Sequence, residues 1–194
     1  MLTLHRAAEL RPAATAPSIP DGAVLVRGDE VAALGRYEEL AAAHPRARVR
    51  EWDGRLTPGL AHPYGGPLLE HRYHPDPREG LGEQPLPLPP GLDQAALGGS
   101  ARRGLQRMLA HGTTALAGPF EQPAVRTAVS RSGLLVVVPF GPPFAGEPTG
   151  DDLPGFEAAV PYGVLEVGGR ADFAVFGAGC LGTVLAGRLL FRRR

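Results

Sequence analysis

Residues 55–66 read RLTPGLAHPYGG, and this stretch decides how the rest of the chain is interpreted. The segment before it, RVREWDG at 48–54, alternates and ends at a turn, which predicts a strand. Further upstream, GAVLVRGDEVAALG at 22–35 places two short apolar runs around Gly28-Asp29, which predicts a hairpin. The chain is therefore predicted to approach residues 55–66 through β structure.

After this stretch the pattern changes to alternating strands and helices. A Pro/Gly-rich loop is predicted first, and the apolar spacing then predicts two helices. The first helix is followed by a short buried strand, and the second by a continuously apolar strand of the kind that a parallel sheet covers on both faces. Strand, helix, strand, helix, strand indicates an α/β fold. The ranges are 74–99 for the loop, 101–112 and 121–133 for the helices, and 113–118 and 134–139 for the strands. The C-terminal segments 171–177 and 183–191 return to β, the latter as one strand bent at Gly187.

Bulk properties exclude several classes of protein. The single cysteine, Cys180, excludes a disulfide framework and a cysteine-based zinc site. The chain has no lysine, which removes Schiff-base and carboxylated-lysine chemistry. The formal net charge is zero, so nucleic acid is not an expected partner. No apolar run reaches the length of a membrane helix and the start does not look like a signal peptide, so we expect a cytoplasmic protein without a membrane partner.

The two ends of the chain carry a family resemblance. GAVLVRGDEVAALG…VREWDGRLTPGL near the N-terminus and GVLEVGGRADFAVFG…TVLAGRLLF near the C-terminus resemble the segments that open and close proteins of the amidohydrolase superfamily. The resemblance is to imidazolonepropionase and aminodeoxyfutalosine deaminase in particular. It implies a small composite β-sandwich formed by both termini, beside a (β/α)8 barrel. Within that sandwich, Asp172 matches a structural position.

Applied to this chain, the resemblance predicts an α/β fold with a composite β-sandwich and a partial, three-stranded TIM-barrel-like β/α remnant. A full barrel takes about 250 residues, far more than lie between the two sandwich segments. The predicted boundaries are 1–58 and 163–194 for the sandwich, 59–140 for the truncated barrel remnant and 141–162 for a linker.

The resemblance fails at the metal ligands. In the family, Pro-Gly and two apolar residues are followed by His-x-His, and these two positions fall on Tyr64 and Gly66. The other family ligands lie on later barrel strands that the remnant lacks. The resemblance therefore implies no catalytic residue, no metal and no other cofactor. We expect a non-catalytic protein that acts through protein or small-molecule binding.

An alternative site lies in HPYGGPLLEHRYHPD, residues 62–76. His62, His71 and His74 are its candidate ligands for zinc or iron. Such a rebuilt site, or one completed by a partner chain, would make the protein a hydrolase or deaminase acting on non-peptide carbon–nitrogen bonds. Pro75 and Pro77 argue against the rigid helix that a zinc pair prefers.

Binding predictions concern the sheet edges and the strand ends. An open three-stranded sheet exposes its edges, so we expect a homo-oligomer or docking on another protein. Tyr64, Thr114 and Phe140 are candidates for the mouth of a small-molecule pocket, because the ends of their strands are where related barrels bind ligands.

Overall fold

The computed structural model describes residues 1–142 and 153–193. The chain divides into two compact units. The first unit comprises Met1–Leu60, Leu109–Thr114 and Pro161–Arg194, and the second comprises Ala61–Met108 and Ala115–Val160.

Thirteen strands and four α-helices are assigned in the described residues. The strands are β1 Leu2–Leu10, β2 Ile19–Arg27, β3 Glu30–Arg36, β4 Arg48–Pro58, β5 Leu60–His62, β6 Arg72–Tyr73, β7 Leu86–Pro87, β8 Thr113–Ala117, β9 Leu135–Val137, β10 Val160–Pro161, β11 Phe173–Phe176, β12 Cys180–Leu185 and β13 Arg188–Arg192. The helices are α1 Tyr37–Ala43, α2 Gly65–Glu70, α3 Gln94–Ala110 and α4 Pro123–Ser132. Short 3-10 helices cover Pro77–Glu79 and Phe156–Ala158.

The first unit contains one seven-stranded sheet built from both ends of the chain. Its order is β13-β12-β11-β4-β1-β2-β3. The two ends meet where β4 pairs antiparallel with β11, with Leu56 opposite Val175. Val26 from one end of the sheet and Val184 from the other share one buried cluster with Leu56 and Phe173. The sheet therefore curls around a common core, so the predicted sandwich is one continuous sheet.

Turn residues explain how the strands of the first unit connect. β2 and β3 form the predicted hairpin around Gly28-Asp29, where Gly28 has φ +66°. The prediction of one bent strand over 183–191 is wrong, because β12 and β13 are the two arms of an antiparallel hairpin. Ala186 and Gly187 both have positive φ, as a two-residue hairpin turn requires. Asp172 has the structural role expected of it: its Oδ1 accepts the Ala186 N–H at 2.7 Å.

The second unit is organised around a four-stranded sheet with the order β10-β5-β8-β9. This is one strand more than predicted, because β10 lies in the predicted linker; residues 143–152 of that linker fall outside the described part of the chain. β8 and β9 are parallel, with Leu116 beside Val136. The prediction of a strand covered on both faces at 134–139 is wrong: in the described part of the chain β9 is terminal in the sheet, and Val136 is 55% exposed.

The helix predicted at 101–112 begins earlier than expected. α3 begins at Gln94, where the Asp93 Oδ1 accepts the Ala96 N–H at 2.7 Å as an N-terminal cap. Ser100 is therefore inside the helix, and it is buried. The predicted loop at 74–99 also contains β7, which pairs with β6. None of the described helices has the length and hydrophobicity that crossing a membrane requires.

Candidate functional site

Gly66, the position that the resemblance aligns with a second metal-binding histidine, lies in tightly packed backbone. β5 ends at His62, Tyr64 takes the N-cap position of α2, and the helix begins at Gly65. Gly65 and Gly66 are buried. A Cβ added to Gly65 would lie 2.8 Å from the Ala117 carbonyl oxygen, and one added to Gly66 would lie 3.2 Å from the Pro119 carbonyl oxygen. A side chain at either position therefore requires the local backbone to move.

His62 is fully buried and both of its ring nitrogens are engaged. Nδ1 accepts the Tyr64 backbone N–H at 3.1 Å, and Nε2 lies 3.0 Å from the Gly155 carbonyl oxygen. Because Nδ1 is an acceptor, the proton is on Nε2, which donates to Gly155. The ring thus ties β5 to the segment before β10. Because Nε2 carries the proton and the Nδ1 lone pair accepts a hydrogen bond, neither ring nitrogen is available to bind a metal in this arrangement.

His74 is also fully buried, and it contacts both α2 and α3. Its Nε2 donates to the Leu68 carbonyl at 2.9 Å, and its backbone N–H donates to the Ser100 Oγ at 2.8 Å. Gly104 of α3 packs directly on the ring, since a Cβ there would lie 2.7 Å from Nε2. Burial, together with the nearby positive charges of Arg107 and Arg103, lowers the pKa of His74 to about 4.

The structure does not assemble the three candidate histidines into a ligand set. His71 is the half-buried C-cap residue of α2, and its backbone N–H donates to the Pro67 carbonyl at 3.1 Å. Across residues 1–142 and 153–193, no group of three or more His, Cys, Asp or Glu side chains is placed to hold a metal ion. His62 and His74 instead make hydrogen bonds that stabilise the fold.

Glu70 is a buried carboxylate whose role was not found from the sequence. It is 7% exposed, and its Oε1 accepts the backbone N–H of Gln122 at 2.6 Å. Gln122 is the N-cap of α4, and its own side chain makes no capping hydrogen bond. Glu70 therefore does for α4 what the third helical residue does in a capping box, but from 52 residues away. The sequence feature that could have indicated this role is the start of a helix at Pro123 without a local side chain to cap it.

The three residues predicted at a pocket mouth have different environments. Thr114, in the first unit, is 3% exposed, and its side chain fills the space above Gly59. Tyr64 and Phe140, in the second unit, are half-buried. The Tyr64 hydroxyl donates to the Pro142 carbonyl at 3.3 Å. A ligand site at these residues stays a prediction.

Comparisons with known proteins support the resemblance at two levels. Residues 22–47 match the model of the imidazolonepropionase-like composite domain of bacteria. A search of curated proteins gives no match.

Part of one solved structure shares the fold of this chain. Guanine deaminase from Bradyrhizobium japonicum is 21% identical and matches 71% of this chain and 34% of its own, with a TM-score of 0.53. Aminofutalosine deaminase from Helicobacter pylori is 14% identical over 71% of this chain and 33% of its own, with a TM-score of 0.45. The chain thus spans about a third of the length of these proteins. It resembles the amidohydrolase superfamily, with an imidazolonepropionase-like composite domain match at residues 22–47.

Proposed function

We propose that this chain is a non-catalytic amidohydrolase-like protein that acts by docking on a second copy of itself through the open edge of its four-stranded sheet. The observation that carries the proposal is the exposure of β9. Among the described residues, β9 is terminal in this sheet and pairs with β8. Leu135 and Val136 of this strand are 39% and 55% exposed, and Val138, just after its end, is 81% exposed.

The proposed lack of catalysis rests on the residues at and after the end of β5. A hydrolytic metal needs about three protein ligands, one open position and a base for the water proton. At the two family positions this chain has Tyr64 and Gly66, and the second is packed against the Pro119 carbonyl. His62 uses its ring nitrogens on the backbone. We therefore propose that these residues stabilise the fold and do not bind a metal.

The unpaired edge of β9 favours a second copy of the chain as the partner. An unpaired strand presents N–H and C=O groups that another strand can pair with, and proteins normally cover such edges. A second copy offers an identical edge, and two identical strands related by a two-fold axis pair antiparallel with the same residues on each side. Val136 lies at the centre of β9, so it would sit close to the two-fold axis.

The test is the mass of the full chain in solution, measured by sedimentation velocity over a wide range of protein concentration. We expect a reversible dimer for the wild type and a monomer for Val136→Arg, because a charge at the centre of the edge blocks pairing. Val164→Arg is the matched control: Val164 is also 55% exposed but lies outside the edge strand, and this variant should dimerise like the wild type.

Two results would contradict the proposal. A wild-type protein that stays monomeric, or a Val136→Arg variant that dimerises unchanged, overturns docking through β9. Turnover of a cyclic amide or an aminopurine that a chelator abolishes overturns the non-catalytic assignment. Circular dichroism of each variant establishes that a change in mass is not caused by unfolding.

A further inference from the structure

The first unit contains a basic cleft that is separate from the residues discussed so far. Its volume is about 590 Å³, within the range of small-molecule sites. Three arginines, Arg48, Arg50 and Arg192, line it together with Trp52 and Leu189. Alternation along β4 explains the arrangement, because residues 48, 50 and 52 lie on the same face of the strand.

Among the described residues, the side chains that line this cleft carry more positive than negative charge. In the part of the chain that the structure describes, none of the three arginines forms an ion pair with a carboxylate. The one acidic residue at the cleft, Glu51, accepts a hydrogen bond from Arg6 at 3.2 Å. The Nε atom of Arg50 is buried and has no hydrogen-bond partner.

Such an arrangement costs stability unless an anion is bound. A buried donor without an acceptor carries a desolvation penalty, and like charges repel each other. Burial, followed by the charges of Arg48 and Arg192, lowers the pKa of Arg50. An anion bound by the three arginines would remove the repulsion between their charges.

The apolar side of the cleft narrows the class of ligand. Trp52 is held in place by its Nε1–H, which donates to the His5 Nδ1 at 3.3 Å, and by the Gly182 backbone, which leaves no room for a Cβ beside the ring. The Arg192 guanidinium lies 5.7 Å from the centre of the Trp52 ring. Guanidinium groups bind phosphate through paired hydrogen bonds, and a tryptophan ring contacts flat apolar groups.

We propose that this cleft binds a phosphorylated small molecule of nucleotide size. Its phosphates contact Arg48, Arg50 and Arg192, and its ring lies beside Trp52 and Leu189. The site lies entirely in the first unit and is independent of the proposed self-docking.

The test uses Trp52, the single tryptophan of the chain, as the reporter. The full chain is titrated with ATP and, separately, with inorganic tripolyphosphate, both without metal, and binding is followed by tryptophan fluorescence and by calorimetry. We expect a saturable change with both compounds and a tighter affinity for ATP, by about tenfold, because only ATP has a ring to place beside Trp52. Added salt should weaken both.

Variants localise the site. Arg50→Gln and Arg192→Gln should each weaken ATP binding by about tenfold or more, since each removes a charge-assisted hydrogen bond. Arg192 is exposed, so its replacement leaves folding intact. Arg188→Gln is the matched control, because Arg188 is exposed on the same strand and does not line the cleft. No saturable binding, or equal weakening by Arg188→Gln, overturns the site; equal affinity for the two compounds overturns the ring contact.

Discussion

Acidification should destabilise the second unit through His74. In the native state burial lowers the pKa of His74 to about 4, against 6.5 for the unfolded side chain. The unfolded ring therefore takes up a proton near pH 6.5, while the native ring stays neutral until about pH 4. The stability that His74 contributes is full above pH 6.5 and is lost as the pH falls towards 4.

The size of the effect follows from the two pKa values. Each tenfold difference in proton affinity is worth about 1.4 kcal/mol. Between pH 7 and pH 5 the linkage relation gives a loss of about 2 kcal/mol from His74 alone, and about 3 kcal/mol once pH 4 is reached. His5, in the first unit, has its pKa lowered by burial to about 3, so the first unit should lose a similar amount.

Urea unfolding at pH 7 and pH 5 measures this loss, with far-ultraviolet circular dichroism reporting the helices. His74→Gln keeps a donor for the Leu68 carbonyl but does not titrate, so it should lose about 2 kcal/mol less than the wild type between the two pH values. His71→Gln, at a half-buried neighbouring position, is the control and should behave like the wild type. An identical pH dependence for His74→Gln and the wild type would refute the buried neutral ring.

Two further predictions concern how the helices of the second unit are held. Glu70→Ala should lower the free energy of unfolding by about 2–3 kcal/mol, because it removes the charged acceptor at the start of α4, whereas Glu70→Gln retains an acceptor and should cost about 1 kcal/mol. Equal stability of both variants and the wild type in urea titrations would exclude the remote cap. Gly104→Ala should destabilise the protein by about 1–3 kcal/mol, because its Cβ meets His74 at 2.7 Å. Gly99→Ala in the same helix meets only the flexible ends of Arg103, at 3.4 Å, and Arg102, at 3.8 Å, and should stabilise by about 0.5–1 kcal/mol. Thermal melts in which the two changes have the same sign would refute this packing.

Local turn chemistry made part of the fold predictable. The hairpin around Gly28-Asp29 needs only two residues of the right type between apolar runs. Helix α1 ends at Ala43, shortly before Pro45, and proline is a typical stop signal for a helix. The composite domain, in contrast, was predicted from the family resemblance. The two ends of the chain meet in it through the pairing of β4 with β11, which joins residues more than a hundred positions apart. No local pattern carries that information.

Tertiary packing explains the predictions that were wrong. The loop was predicted to extend to residue 99, but α3 runs through Gly98 and Gly99, and Gly98 faces Ala124 of α4, with a Cβ position 3.5 Å from that side chain. β9 was predicted to be covered because it is continuously apolar, yet its position at the sheet edge leaves Val136 exposed. Composition gives the hydrophobicity of a strand but not its place in the sheet.

At the candidate site, the departures at Tyr64 and Gly66 were visible in the sequence, whereas the roles of the nearby polar residues were not. A cluster of histidines between prolines gives the same pattern whether the rings bind a metal or the backbone. The carbonyls that His62 and His74 contact lie at Gly155 and Leu68, and only the folded chain identifies them.

Elemental analysis of the purified, untagged protein, as isolated and after dialysis against zinc, tests the central claim most directly. The claim is that the candidate ligands His62, His71 and His74 do not form a metal site. The account predicts a protein with no stoichiometric metal in either state. One zinc or iron per chain that disappears in His71→Ala would contradict it and restore the hydrolase alternative.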